Sequence, residues 1–133
     1  MIIKTRKVRL YPNSHMKKIL DGLCAYRRYC WNQGLELWND VYYAHVINED
    51  NPLPNNHDIL KIMVANKQDW QYSKSSRVLQ QSIIDLSEAW QHFFRKDQKD
   101  WGKPRFKSRK LTKQGFKSDT VRFINGKLRL DKP

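Results

Sequence analysis

Two cysteines and four histidines in 133 residues leave little from which to build a metal centre or a disulfide framework. Cys24 and Cys30 lie six positions apart, which fits neither a C-x-x-C knuckle nor a disulfide scaffold, so both read as reduced packing residues. His15, His45, His57 and His92 are scattered without ligand spacing, which argues against a zinc site in this chain. No apolar run approaches the roughly 18 residues that a membrane-spanning helix needs. The N-terminal MIIKTRKVRL also lacks the apolar stretch of a signal peptide, so the expectation is a cytoplasmic protein with no membrane partner and no cofactor. Acidic residues are scarce as well, 13 against 26 Lys and Arg, for a net charge of +13.

Where the charge sits is more informative than its total. Residues 1–30 hold eight basic residues and one acid, residues 31–94 hold four and eight, and residues 95–133 hold fourteen and four. Two basic ends thus flank a mildly acidic middle, and ends so charged repel each other unless an anion lies between them. A polyphosphate such as nucleic acid is the economical partner. Hydrophobic residues make up 39% and aromatic residues 12%, enough for one core despite a mean hydropathy of -0.85.

The strongest periodic stretch is Ser75 to Arg95. Leu79, Ile83, Leu86, Trp90 and Phe93 recur at steps of three and four and predict a helix of about five turns with one buried stripe. Ser73, Ser75 and Ser76 are candidate caps, and Arg77, Gln80, Gln81, Glu88, Gln91 and Arg95 occupy the opposite, hydrogen-bonding side. Ile84 interrupts that side and points to a second contact. Before this helix, Ile2 to Tyr11 alternates β-branched with basic residues up to Pro12, which predicts a basic strand. Asn13 or Ser14 then caps a helical pattern reaching about Val46. Gly34 within it marks either close packing or a break between two shorter helices.

The stretch NEDNPLPNN at 48–56 is a loop, and Ile59, Leu60, Met63 and Val64 mark a short helix with Asn56 as its cap. After Arg95 the composition becomes basic and broken by Gly and Pro. Arg105 to Lys107 is a candidate short strand, and Ser108 to Gln114 a basic loop that a phosphate backbone would order. In TVRFINGKLRLD, Asn125-Gly126 is the preferred pair of a type I′ turn. Counting outwards pairs Ile124 with Lys127, Phe123 with Leu128, Arg122 with Arg129 and Val121 with Leu130. The two arginines then face each other, either splayed into water or bridged by a phosphate. A lone hairpin is not a stable sheet, so Ile2–Tyr11 and Arg105–Lys107 are the strands expected to complete it.

The expected fold is therefore α+β: an antiparallel β-module, which the resemblance described next makes a small barrel, interrupted by a lobe of about three helices arranged as a small bundle or with helix-turn-helix character. Residues 1–12 supply one strand, 13–96 the lobe, and 97–133 the remaining strands.

Several stretches, in order, resemble one family. They are VRLYPN at Val8 to Asn13, YRRYCWNQGLE at Tyr26 to Glu36, LQQSIIDLSEAWQHFFR at Leu79 to Arg95, KPRFKSR at Lys103 to Arg109, and the closing INGKLRL. The chain resembles the N-terminal half of TnpB, the OrfB-type transposase with a helix-turn-helix domain that is related to type V CRISPR effectors. The resemblance implies an oligonucleotide-binding-like wedge barrel with an inserted recognition lobe. It also implies a prokaryotic, nucleoid-associated protein whose partners are a guide RNA and double-stranded DNA.

Carried over by position, Gln80 falls where the family reads its DNA motif, with Ser76, Arg77 and Gln81 on the same helix and Lys117 and Ser118 near the same DNA. Gln can bond adenine, and Arg guanine, in a bidentate way. Relatives carry a lysine where this chain has Ser76, which leaves its DNA motif open. The candidates for RNA or phosphate contact are Arg6, Lys7, Arg9, Arg105, Lys107, Arg109, Lys110, Arg122 and Arg129. Tyr11 and Phe106 can stack on bases, but as aromatic residues of the expected barrel they read first as core, as do Trp31, Trp38 and Trp90.

The family's RuvC-like, Mg²⁺-dependent nuclease domain lies beyond Pro133, so this chain is expected to bind without cutting, as a fragment or a natural truncation. A homodimer, or association with the rest of a nuclease, is compatible with that. Two other classes remain open: a stand-alone helix-turn-helix regulator for which RNA is dispensable, and an interaction protein working through the acidic middle.

Overall fold

Thirty-four residues, Ser14–Ile47, form one uninterrupted helix (α1) in the computed structural model, which describes residues 3–95, 102–110, 115–119 and 121–130. At 1.5 Å per residue α1 is about 51 Å long. Asn13, not Ser14, caps it, its side chain accepting the Met16 amide at 2.8 Å. The loop 48–55 then leads into α2, Asn56–Ala65, capped by Asn55 rather than Asn56. A 3₁₀ turn, Asp69–Ser73, separates α2 from α3, Ser76–Phe94. Of the three candidate serines, Ser75 caps α3 by accepting the Arg77 amide at 3.2 Å.

The core lies among the three helices. Leu23, Tyr26, Cys30, Trp31, Leu35 and Trp38 descend α1 at helical spacing and meet Ile59 and Met63 of α2 and Val78, Leu79, Ile83, Leu86 and Trp90 of α3. The predicted stripe of α3 is buried, with Phe93 packed at its edge. Gly34 settles the choice between break and close packing, because a Cβ there would lie 2.5 Å from Ile83 Cδ1 and 3.2 Å from Leu86 Cδ2. The missing side chain lets α3 press against α1.

Cys30 is fully buried, and burial pushes its thiol up to about 12, against the opposing hydrogen bond of Tyr26. Burial also raises the half-buried Cys24 thiol. Iodoacetamide at about pH 8 should therefore spare Cys30 in the native chain, since only the thiolate reacts. Peptide mass mapping checks this; rapid native labelling of Cys30 would contradict a closed core.

The hairpin forms as counted: β1, Arg122–Ile124, pairs antiparallel with β2, Lys127–Arg129, in the register Arg122↔Arg129, Phe123↔Leu128, Ile124↔Lys127. Asn125 and Gly126 carry φ of 51° and 75°, as a type I′ turn requires. This is a two-stranded sheet among the described residues, and no barrel closes around it there. Residues 3–12 and 105–107 carry no strand, contrary to expectation. A strand exists only with a hydrogen-bonding neighbour, and the 105–107 backbone bonds to side chains of α1 instead.

Tyr11 and Phe106, expected in the barrel core, are 85% and 61% exposed for the same reason, whereas Trp31, Trp38 and Trp90 are buried as read. Residues 111–114 of the expected basic loop, and the expected domain boundary at 96/97, lie outside the described residues.

Candidate nucleic-acid interface

Trp31 and Asn32 sit side by side on α1, and together they grip the basic segment 103–109. Trp31 packs its ring into the core edge and donates its indole N–H to the Arg105 carbonyl at 2.7 Å. Asn32 donates Nδ2 to the Lys107 carbonyl at 2.9 Å and accepts the Lys107 amide at 2.8 Å. One side-chain amide thus satisfies both backbone groups of one residue, as a neighbouring strand would. Lys107 Nζ lies 4.3 Å from the Trp31 ring centroid. Burial, and then the nearby Arg27 charge, lower its affinity for a proton, while Asp85 opposes them. Arg105, Phe106, Arg109 and Lys110 remain exposed along the gripped segment.

The start of α3 forms the second part of the surface. Ser76 is exposed on its first turn, and the half-buried Arg77 donates Nη1 to Gln80 Oε1 at 3.2 Å. Arg77 Nε also lies 3.6 Å from Asp119 Oδ1, in a pair exposed enough to be weak. Gln81 lines a groove with Phe116, Lys117, Ser118 and Asp119, closed by Leu128 and Leu130 beside the hairpin. Four of the six DNA-side candidates, Arg77, Gln81, Lys117 and Ser118, thereby meet where segment 115–119 crosses α3, and Gln80 is bonded to the first of them.

The other phosphate candidates are dispersed. Arg6, Lys7 and Arg9 are exposed on residues 3–12, with the Arg9 guanidinium 5.6 Å from the Tyr11 ring centroid. Arg122 and Arg129 face each other across the hairpin, both exposed, as the register predicts.

Three residues were not singled out from the sequence. Asp119 holds Arg77; Asp85, on α3, accepts from Lys117 at 3.0 Å; and Arg27, on α1, approaches Asp85 at 3.6 Å. Among the described residues no helix is long and apolar enough to cross a membrane, and no three His, Cys, Asp or Glu side chains gather as metal ligands.

Residues 1–46 match the family model HTH_OrfB_IS605, a helix-turn-helix domain. The first 46 residues are thus similar to the N-terminal helix-turn-helix region of OrfB-type transposases. The match takes in the first segment, the Asn13 cap and nearly all of α1, including the Trp31–Asn32 grip. The second helix of the α1–α2 pair, α3 and the hairpin lie beyond it. No curated protein matches the chain.

Proposed function

We propose that this chain is the nucleic-acid-binding module of a TnpB/OrfB-type transposon protein, binding a guide RNA through its basic segments and reading a short DNA motif at the start of α3. The observation that carries the reading is the meeting of Gln81, Lys117 and Ser118 at one groove, with Arg77 paired to the groove residue Asp119, next to a basic segment gripped by the OrfB-like helix α1. On duplex DNA the exposed Arg77–Asp119 pair exchanges for a base edge, freeing Gln80 for adenine. Arg105, Lys107, Arg109 and Lys110 hold phosphate without reading sequence. The exposed Tyr11 and Phe106 are available to stack on unpaired bases. The proposal includes a wedge barrel built on the hairpin, association with the remainder of a nuclease, and no cleavage by this chain itself.

Gln80→Ala should then shift sequence preference by about 1 to 3 kcal/mol at one base position. Lys107→Ala should instead weaken binding uniformly and lower the salt slope by about 1. Quantitative binding to a randomised duplex library over a salt series separates the two, and the reverse pattern would sink the assignment. Sequencing the nuclease-resistant nucleic acid that copurifies with the chain tests the guide. One enriched structured RNA supports the proposal, whereas a discrete duplex site bound without RNA favours the stand-alone helix-turn-helix regulator.

A further inference from the structure

Asp85 is where three separate parts of the chain converge. Its Oδ1 accepts from Lys117 Nζ at 3.0 Å, and its Oδ2 lies 3.6 Å from Arg27 Nη2. The carboxylate is largely enclosed, at 12% side-chain exposure, and Arg27 is little more open at 19%. Arg27 lies one turn before Trp31 on α1, and the Trp31 ring carries the Lys107 ammonium at 4.3 Å. Arg27 and Asp85 both act electrostatically on Lys107. One carboxylate therefore pairs with two cations, from α1 and the groove segment, and the Lys107 ammonium over Trp31, one turn along α1 from Arg27, lies within their electrostatic reach.

That arrangement is over-positive. Asp85 can compensate one cation, and Lys107 registers the excess, since both its burial and the Arg27 charge disfavour its protonated form. Lys117 remains 61% exposed, so the cluster opens to solvent on the groove side. An anion with several acceptor oxygens is the ligand that such a set of donors suits.

We propose that Arg27, Lys107 and Lys117 form a seat for a single backbone phosphate, with Asp85 holding Arg27 and Lys117 in place. The inference rests on the nucleic-acid reading above and extends it. The seat lies between the gripped basic segment and the α3 groove, so a strand following Arg105 and Arg109 passes over it before reaching Gln81 and Ser118. It brings in Arg27, a residue of α1 that pattern alone leaves on a solvated helix face.

The test compares wild type, Arg27→Gln and Arg27→Lys for binding to an RNA hairpin and to duplex DNA over a potassium chloride series. Arg27→Gln should weaken binding about 10-fold at low salt. It should also lower the salt slope by about 0.7 to 0.9 on at least one polymer, while Arg27→Lys keeps the slope. An unchanged slope in Arg27→Gln overturns the seat, as does equal loss in both variants, which would assign Arg27 to helix packing. A wild-type chain that binds neither polymer overturns the nucleic-acid reading itself. Titration with inorganic pyrophosphate, followed by NMR at the Lys107 side chain, then judges the seat separately. Shifts present in wild type and lost in Arg27→Gln support it, and their absence in wild type overturns it.

Discussion

A chain carrying Gly34→Leu should lose at least about 3 kcal/mol of stability, a large share of the roughly 5 to 15 kcal/mol that a domain has. The reason is geometric. Even the first carbon of a side chain at this position would lie 2.5 Å from Ile83 Cδ1, 3.2 Å from Leu86 Cδ2 and 3.5 Å from Met63 Sδ, so three further carbons have nowhere to go. Gly34→Ala is the more discriminating variant. It gains about 1 kcal/mol of helix propensity and pays about 1 to 3 kcal/mol of overpacking. The balance turns on whether one methyl group can move, and Ile83 is fully buried.

Ile83→Val removes that methyl group. Alone it should cost about 0.5 to 1.5 kcal/mol by leaving a cavity, but in the Gly34→Ala background it should cost nothing or restore stability. Urea denaturation of the four chains measures the coupling, expected to exceed about 1 kcal/mol. Additive effects would mean that α1 and α3 do not rely on this contact.

What the sequence disclosed and what it hid follow from the range of the interactions. The helices were legible because Leu79, Ile83, Leu86 and Trp90 repeat a local period, and the hairpin because Asn125-Gly126 fixes both turn and register. Caps shifted by a residue, since Asn55 and Asn56 offer the same chemistry and only the backbone decides between them. The first segment misled, because Ile3, Val8 and Tyr11 have the composition of a strand but a strand also needs a neighbour, and all three are exposed. The site was half visible. Of the residues nominated by resemblance, Gln81, Lys117 and Ser118 line one groove and Arg77 pairs with Asp119 at its side, a juxtaposition that says nothing of what they bind. Asp85 and Arg27 were invisible as a pair, because nothing in a sequence signals an ion pair between two helices, 58 positions apart.

The same limit hid the grip on the basic segment, and removing it should have the clearest effect on the proposed interface. Asn32→Ala deletes an amide that donates to Lys107 O and accepts from Lys107 N, contacts spanning 75 positions in sequence. The helical core makes no use of this amide, so the thermal midpoint should move by only a few degrees. The segment is different. Stripped of two hydrogen bonds worth about 1 kcal/mol each, it should detach more often, and trypsin should cut after Arg105 and Lys107 about 10-fold or more faster, as expected for local opening. Asn32→Asp keeps the acceptor for the Lys107 amide but loses the donor to its carbonyl, so it should fall between the two. Trp31→Phe deletes only the bond to Arg105 O and leaves a ring beneath Lys107. Limited proteolysis with mass mapping ranks the four chains. If Asn32→Ala is cut no faster than wild type, the segment is held by something other than α1, and the path proposed for a phosphate backbone from Arg109 through Lys107 to the α3 groove loses its support.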